Sequence, residues 1–170
     1  MASKNKSIHP ILFFSAGIFL QILPVRIDLI FFQPRWVLVL FLLSYFYSLN
    51  LYRFIYLYAF VSGLFLDVIY GSPLGQHIFG MILIAFLLLK SHRMIGQAPL
   101  IQLVIILASF MLIFELAMLV IDGFVGILNL EIKDRFILAM TSCFWWFGLY
   151  LTFSQLNYKK VTNASRESFR

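Results

Sequence analysis

Apolar residues run through the chain in long stretches, broken at intervals by proline, glycine, asparagine and charge. The breaks divide it into six candidate helices, at about residues 8–24, 36–51, 54–70, 77–89, 99–122 and 136–156. Only Asn50 and Arg53 interrupt the 35 residues from Trp36 to Tyr70. That run is too long for one span of about 30 Å at about 1.5 Å per residue, so it reads as a tight helical hairpin.

Composition turns these helices into membrane spans. Of 170 residues, 62% are hydrophobic and 12% charged, and the mean hydropathy is +0.96. A soluble domain averages about 25% charged residues, so this chain has half the charge needed to cover a water-facing surface. A soluble globule is excluded. At about 20 residues per span, residues 1–170 are expected to form a single all-α, polytopic membrane domain of about six helices. The basic, apolar N-terminus has no small-x-small cleavage site and reads as a retained first span.

The charge distribution gives an orientation. With the N-terminus in the cytoplasm, the inner segments collect Lys4, Lys6, Arg53, Lys90, Arg93, Lys159, Lys160, Arg166 and Arg170, nine of the 13 basic residues. The outer segments keep Arg26, Arg35, Lys133 and Arg135. This bias predicts both termini inside, with a basic cytoplasmic tail at 157–170, unstructured against the inner leaflet. The net charge of +6 is then an orientation signal and not an affinity for nucleic acid. Two connections, around Leu29 to Phe32 and Ile127 to Ile132, are apolar enough to lie in the outer interface or to receive a partner.

Three acids stand within the spans, where each costs about 2.5 to 3.5 kcal/mol at the centre of a helix. Asp67 lies near the outer end of the third helix, Glu115 about 24 Å into the fifth, and Asp122 at the end of the fifth. All three belong to the outer half, with Gln21, Arg26, Arg35, Gln76 and His77 as candidate partners. Either the acids form a polar site open to the outside or they fix helix packing through hydrogen bonds. Asp67 has the richest setting. Ala59, Gly63, Asp67 and Gly71 recur every four residues on one helix face, predicting close contact with another helix, and Gly71, Pro73 and Gly75 predict a sharp turn.

Other groups carry less. Cys143 beside Trp145 and Trp146 reads as a small buried hydrophobe. His9, His77 and His92 are too scattered to suggest a metal site, and aromatics at span ends suit interfacial anchoring. The sequence contains no phosphate-binding loop or nucleophile–base constellation, and no cofactor is expected.

Two stretches carry a family resemblance. LQILPVRIDLIFFQPRWVLVLFL, with Leu20-Gln21-Ile22 and Pro24 before a short loop and Pro34-x-Trp36 after it, resembles the start of MreD, the rod shape-determining membrane protein of bacteria. GLFLDVIYGSPLGQHIFGMILIAFLL resembles that family's most recognisable stretch, through Gly63, Leu66-Asp67, Gly71-Ser72 and Leu74-Gly75. The resemblance covers nearly the whole chain and is most specific in residues 20–89. It implies a non-catalytic inner-membrane subunit of the cell-elongation machinery. Its implied partners are MreC, the glycosyltransferase RodA with its class B penicillin-binding transpeptidase, MreB filaments and the lipid bilayer. It also implies a fold similar to the substrate-binding subunits of energy-coupling-factor transporters. Gly63, Asp67, Gly71, Gly75 and Glu115 are the residues expected to hold the bundle or the partner. The alternative is a small-solute-binding subunit of a membrane transporter.

Overall fold

The computed structural model describes residues 10–22, 34–47, 51–125 and 132–167. Arg26, His9 and the apolar stretches around residues 29–32 and 127–130 lie outside the described residues. Seven helices and no strand occur among those described: α1 (Pro10–Ile22), α2 (Trp36–Tyr47), α3 (Leu51–Tyr70), α4 (Gln76–Lys90), α5 (His92–Gln97), α6 (Leu100–Val125) and α7 (Ile132–Glu167). Leu100–Val125 and Lys133–Ser154 are long and apolar enough to cross a bilayer, while Leu12–Ile22, Trp36–Phe46, Phe54–Tyr70 and Gln76–Lys90 are shorter apolar segments. The fold is that of a helical membrane protein.

Helix α2 sits at the centre. Its residues Val37, Leu38, Val39, Leu40, Phe41, Leu42 and Leu43 are all buried, on every side of the helix, with Ser44. A helix apolar and covered all round belongs in the interior. Helices α1, α3 and α7 pack on it, α4 lies along α3, and α6 bridges α4 and α7. The outward faces are equally apolar: Ile101, Phe124 and Phe144 are 75%, 88% and 74% exposed. Contiguous exposed apolar surface of this kind suits hydrocarbon and not water.

The Asn50/Arg53 break expected from the sequence coincides with a local departure from helix. Phe54 has φ −120° and ψ 18° inside α3. Small residues then set the close packing of α3 on α4. A Cβ on Gly63 would stand 2.4 Å from Ile78 Cα, so the two backbones touch there. Gly80, which the sequence did not single out, does the same for α4 and α6, where a Cβ would meet Met118 and Phe114.

Gly71 departs from its expected role. It is exposed, with φ +60° and nothing within 4 Å of a Cβ, so it shapes a turn and packs against no helix. The reason is that α3 ends at Tyr70 in a Schellman motif: Ser72 N–H donates to Asp67 C=O at 3.1 Å, and Gly71 N–H to Val68 C=O at 3.4 Å. The left-handed residue this motif requires is glycine, without the strain a Cβ would bring. Gly75, at φ +104°, precedes α4 in the same way.

Other boundaries moved. The fourth helix runs 15 residues, from Gln76, and is followed by α5, a short helix absent from the expectation. It stops at Ala98, which is extended ahead of Pro99. Helix α6 continues past Asp122 to Val125, so that acid is inside the helix and not at its end. Helix α7 begins four residues before the expected Phe136 and continues to Glu167, so the tail expected to be unstructured is helical over most of its length.

Candidate functional site

The site grows from the turn between α3 and α4. The N-terminus of α4 leaves backbone N–H groups without helical partners. Asp67, one turn before the end of α3, supplies them: its carboxylate accepts from Gly75 N–H at 2.8 Å and His77 N–H at 2.8 Å. It also accepts from Ser72 Oγ at 3.0 Å and pairs with His77 Nδ1 at 2.9 Å. A carboxylate in this position is a helix cap delivered from the preceding helix, and its charge opposes the positive end of the α4 dipole. Asp67 is 1% exposed, so in apolar surroundings these donors are what make its burial tolerable.

His77 carries the network outward. Its ring stacks on Tyr70, with centroids 5.3 Å apart at 18°. Gln21 Nε2 of α1 donates to Tyr70 Oη at 2.5 Å, and the Arg35 guanidinium lies over the Tyr70 ring at 5.4 Å. Arg35 immediately precedes α2, with its backbone N–H donating to Ser142 Oγ of α7 at 3.0 Å. Its Nε donates to Glu115 Oε1 at 2.9 Å and its Nη2 to Oε2 at 3.4 Å, a forked pair on α6.

Arg135, in the first turn of α7, completes the cluster. Its Nη1 stands 3.6 Å from Glu115 Oε2, and its Nη2 donates to Asp122 Oδ2. Asp122 Oδ1 in turn accepts from Gln76 Nε2 of α4 at 2.5 Å. One buried arginine thereby joins two acids two turns apart on α6, and a glutamine links them to the α3–α4 turn. Taking such charges out of water costs several kcal/mol per ion, and paired geometry with further hydrogen bonds offsets it.

All three acids are thus brought to one end of the bundle, with three of the five proposed partners: His77 on Asp67, Arg35 on Glu115 and Gln76 on Asp122. Gln21 meets Tyr70 and no acid. Arg135 was read as part of an outer connection, and the sequence reasoning missed it. A usable signal was present, because the two acids on α6 are followed in the sequence by a segment that carries Lys133 and Arg135. Arg135 stands in the polar stretch that follows. Of the predicted residues, Asp67, Gly75 and Glu115 belong to the network, Gly63 spaces α3 from α4 one turn away, and Gly71 forms the turn.

Beside the network lies a cavity of about 240 Å³, bounded by Arg35, Tyr70, Ser72, His77, Asp122 and Arg135 among others. Among the described residues, no three His, Cys, Asp or Glu side chains gather as a metal site would require. His92 lies elsewhere, in α5, where Tyr45 Oη bonds its Nδ1. Cys143 is a free, half-buried thiol on α7.

The model of a family described as rod shape-determining protein MreD matches residues 1–159. No solved structure matches the chain.

Proposed function

The chain belongs to the MreD family, and from that premise we propose that it is a non-catalytic subunit of the bacterial cell-elongation complex. In this reading it crosses the inner membrane six times with both termini in the cytoplasm. It docks MreC, and through MreC it influences lateral peptidoglycan synthesis by RodA and its transpeptidase partner along MreB filaments. The observation that carries the reading is the bracing of one end of the bundle. Four separate parts of the chain, the start of α2, the α3–α4 turn, α6 and the start of α7, are tied by buried ion pairs and hydrogen bonds. Every carboxylate oxygen of Asp67, Glu115 and Asp122 is engaged by a donor or an ion pair, which suits bracing better than proton transfer. In the six-span topology this end faces outward, where a partner's stalk leaves the membrane.

The role of Asp67 is internal in this reading: it caps α4 and sets the α3–α4 angle, and MreC meets an outward apolar face. The cavity supports a second reading, capture of a small solute, which a ligand held through purification would favour.

The test is genetic and biochemical together. Depleting the protein in a rod-shaped bacterium is expected to round the cells and disperse wall synthesis, and tagged protein is expected to co-purify MreC. Rods that persist after depletion, with no MreC recovered, would overturn the proposal. A reporter fused after Arg170 is expected to be active only as a cytoplasmic fusion.

A further inference from the structure

We infer that the cavity beside the ion-pair network binds a neutral polyol, with one hydroxyl donating to His77 Nε2 and another accepting from Arg35 Nη1. The inference rests on the solute-capture reading of the cavity and names the class of solute.

His77 supplies the acceptor. Its Nδ1 lies 2.9 Å from the Asp67 carboxylate, and an ionised carboxylate can only accept, so the neutral ring carries its proton at Nδ1. Nε2 is left with a bare lone pair. The residue is 5% exposed, yet Nε2 has no hydrogen-bond partner among the described residues and is not enclosed by protein atoms. His77 borders the cavity, so the lone pair opens into it. An acceptor without a partner on a buried side chain calls for a donor.

Arg35 supplies the complement. Its Nε and Nη2 are engaged by Glu115, which leaves Nη1 outside the fork, on a side chain that borders the same cavity. Tyr70 brings the two groups together, because its ring lies 5.3 Å from the His77 ring and 5.4 Å from the Arg35 guanidinium. An acceptor and a donor on one wall are matched by hydroxyls, each of which both donates and accepts.

Charge sets aside the other polar classes. The network holds three carboxylates against two guanidiniums, so an anion would add to an existing excess of negative charge. A cation needs a bare carboxylate, and Asp122, the acid on the cavity wall, already accepts from Gln76 and Arg135. Size sets the length of the ligand. A space of about 240 Å³, at about 30 Å³ of liquid volume per water, holds a polyol of about three to six carbons. Gly71 and Val125 on its wall are exposed, so the cavity communicates with the surface.

The full chain in lipid nanodiscs, with isotope-labelled histidine, is titrated with three six-carbon probes that differ at one end only: sorbitol, gluconate and glucamine. Sorbitol is expected to bind about ten-fold more tightly than either charged probe. It is also expected to shift the nitrogen resonance of His77 Nε2 while the His92 resonance stays. His77→Phe keeps a ring against Tyr70 and removes the acceptor, and is expected to weaken sorbitol binding by about ten-fold. That variant also takes a donor from Asp67, so Val125→Trp, which fills the cavity and touches no ion pair, is the second, and it is expected to abolish binding. A charged probe that binds as well as sorbitol, a protonated Nε2, or sorbitol binding that leaves Nε2 unmoved or survives Val125→Trp would overturn the inference and leave the solute-capture reading standing. Binding of none of the three probes also overturns the inference. If in addition no solute is carried through purification, the solute-capture reading falls with it.

Discussion

The two ends of helix α2 meet opposite kinds of surroundings. Where it begins, Arg35 joins an ion-pair network spanning α3, α4, α6 and α7. Where it ends, about 17 Å away at about 1.5 Å per residue, Tyr45 and Phe46 join an aromatic cluster. There Phe46 meets Trp146 at 5.7 Å and Tyr150 at 5.9 Å, Trp146 stacks on Tyr150 at 5.0 Å, and Tyr45 lies edge-on to His92. Both ends are half-buried, but they hold for different reasons. Aromatic packing is a sum of many small attractions, so a change removes a part of it. An ion-pair network in apolar surroundings is all or nothing for each member, because the partner left behind is a buried charge without compensation.

That difference can be broken most forcefully at Arg135. Arg135→Leu strands Asp122 and half of the Glu115 pairing, and is expected to cost about 3–5 kcal/mol, read as a large drop in thermal stability of the purified protein in detergent. Removing Asp122 together with Arg135 is expected to recover part of that loss. A single-variant cost below about 1 kcal/mol would place this end in the same class as the aromatic one.

Gly63→Ala comes next. The added Cβ would press on Ile78 backbone at 2.4 Å and spread α3 from α4, pulling Asp67 from Gly75 and His77. An overpacking cost of about 1–3 kcal/mol is expected by the same thermal assay. Wild-type stability in this variant would mean that the turn follows α3 as it moves.

The mildest change tests the other end. Tyr45→Phe keeps the ring contacts and removes the hydroxyl that bonds His92 and reaches Leu88 C=O at 3.5 Å. The expected cost is about 0.5–1.5 kcal/mol, a small shift of the unfolding midpoint with the fold retained. A loss as large as that of Arg135→Leu would erase the contrast between the ends.

Legibility in the sequence follows the same division. The acids were visible because charge is rare in an apolar chain, and the α3–α4 turn was visible because glycine and proline mark it. The pairing was not. Glu115 and Arg35 are 80 residues apart, and Gln76 and Asp122 are 46 apart, so only the packing of α2, α4 and α6 brings them together. Gly71 illustrates a subtler failure. Its four-residue spacing from Gly63 and Asp67 suited a packing face, yet the helix ends one residue earlier, and the same glycine serves the turn. Arg135 was hidden by its neighbours, since Lys133 and Asp134 give the segment the polarity of a loop, while the acids on α6 draw the first turn of α7 into the bundle.

By itself, the sequence determined that this protein is helical, that it is built for a membrane and that three acids need partners, because composition and rare charges report these directly. Tertiary structure decided which helix lies at the centre and which donor each acid receives. Hydrophobic periodicity cannot tell core from surface when lipid and protein interior are equally apolar, so α2 and the outward faces of α6 look alike as sequence. What separates them is contact, and contact exists only in the folded bundle.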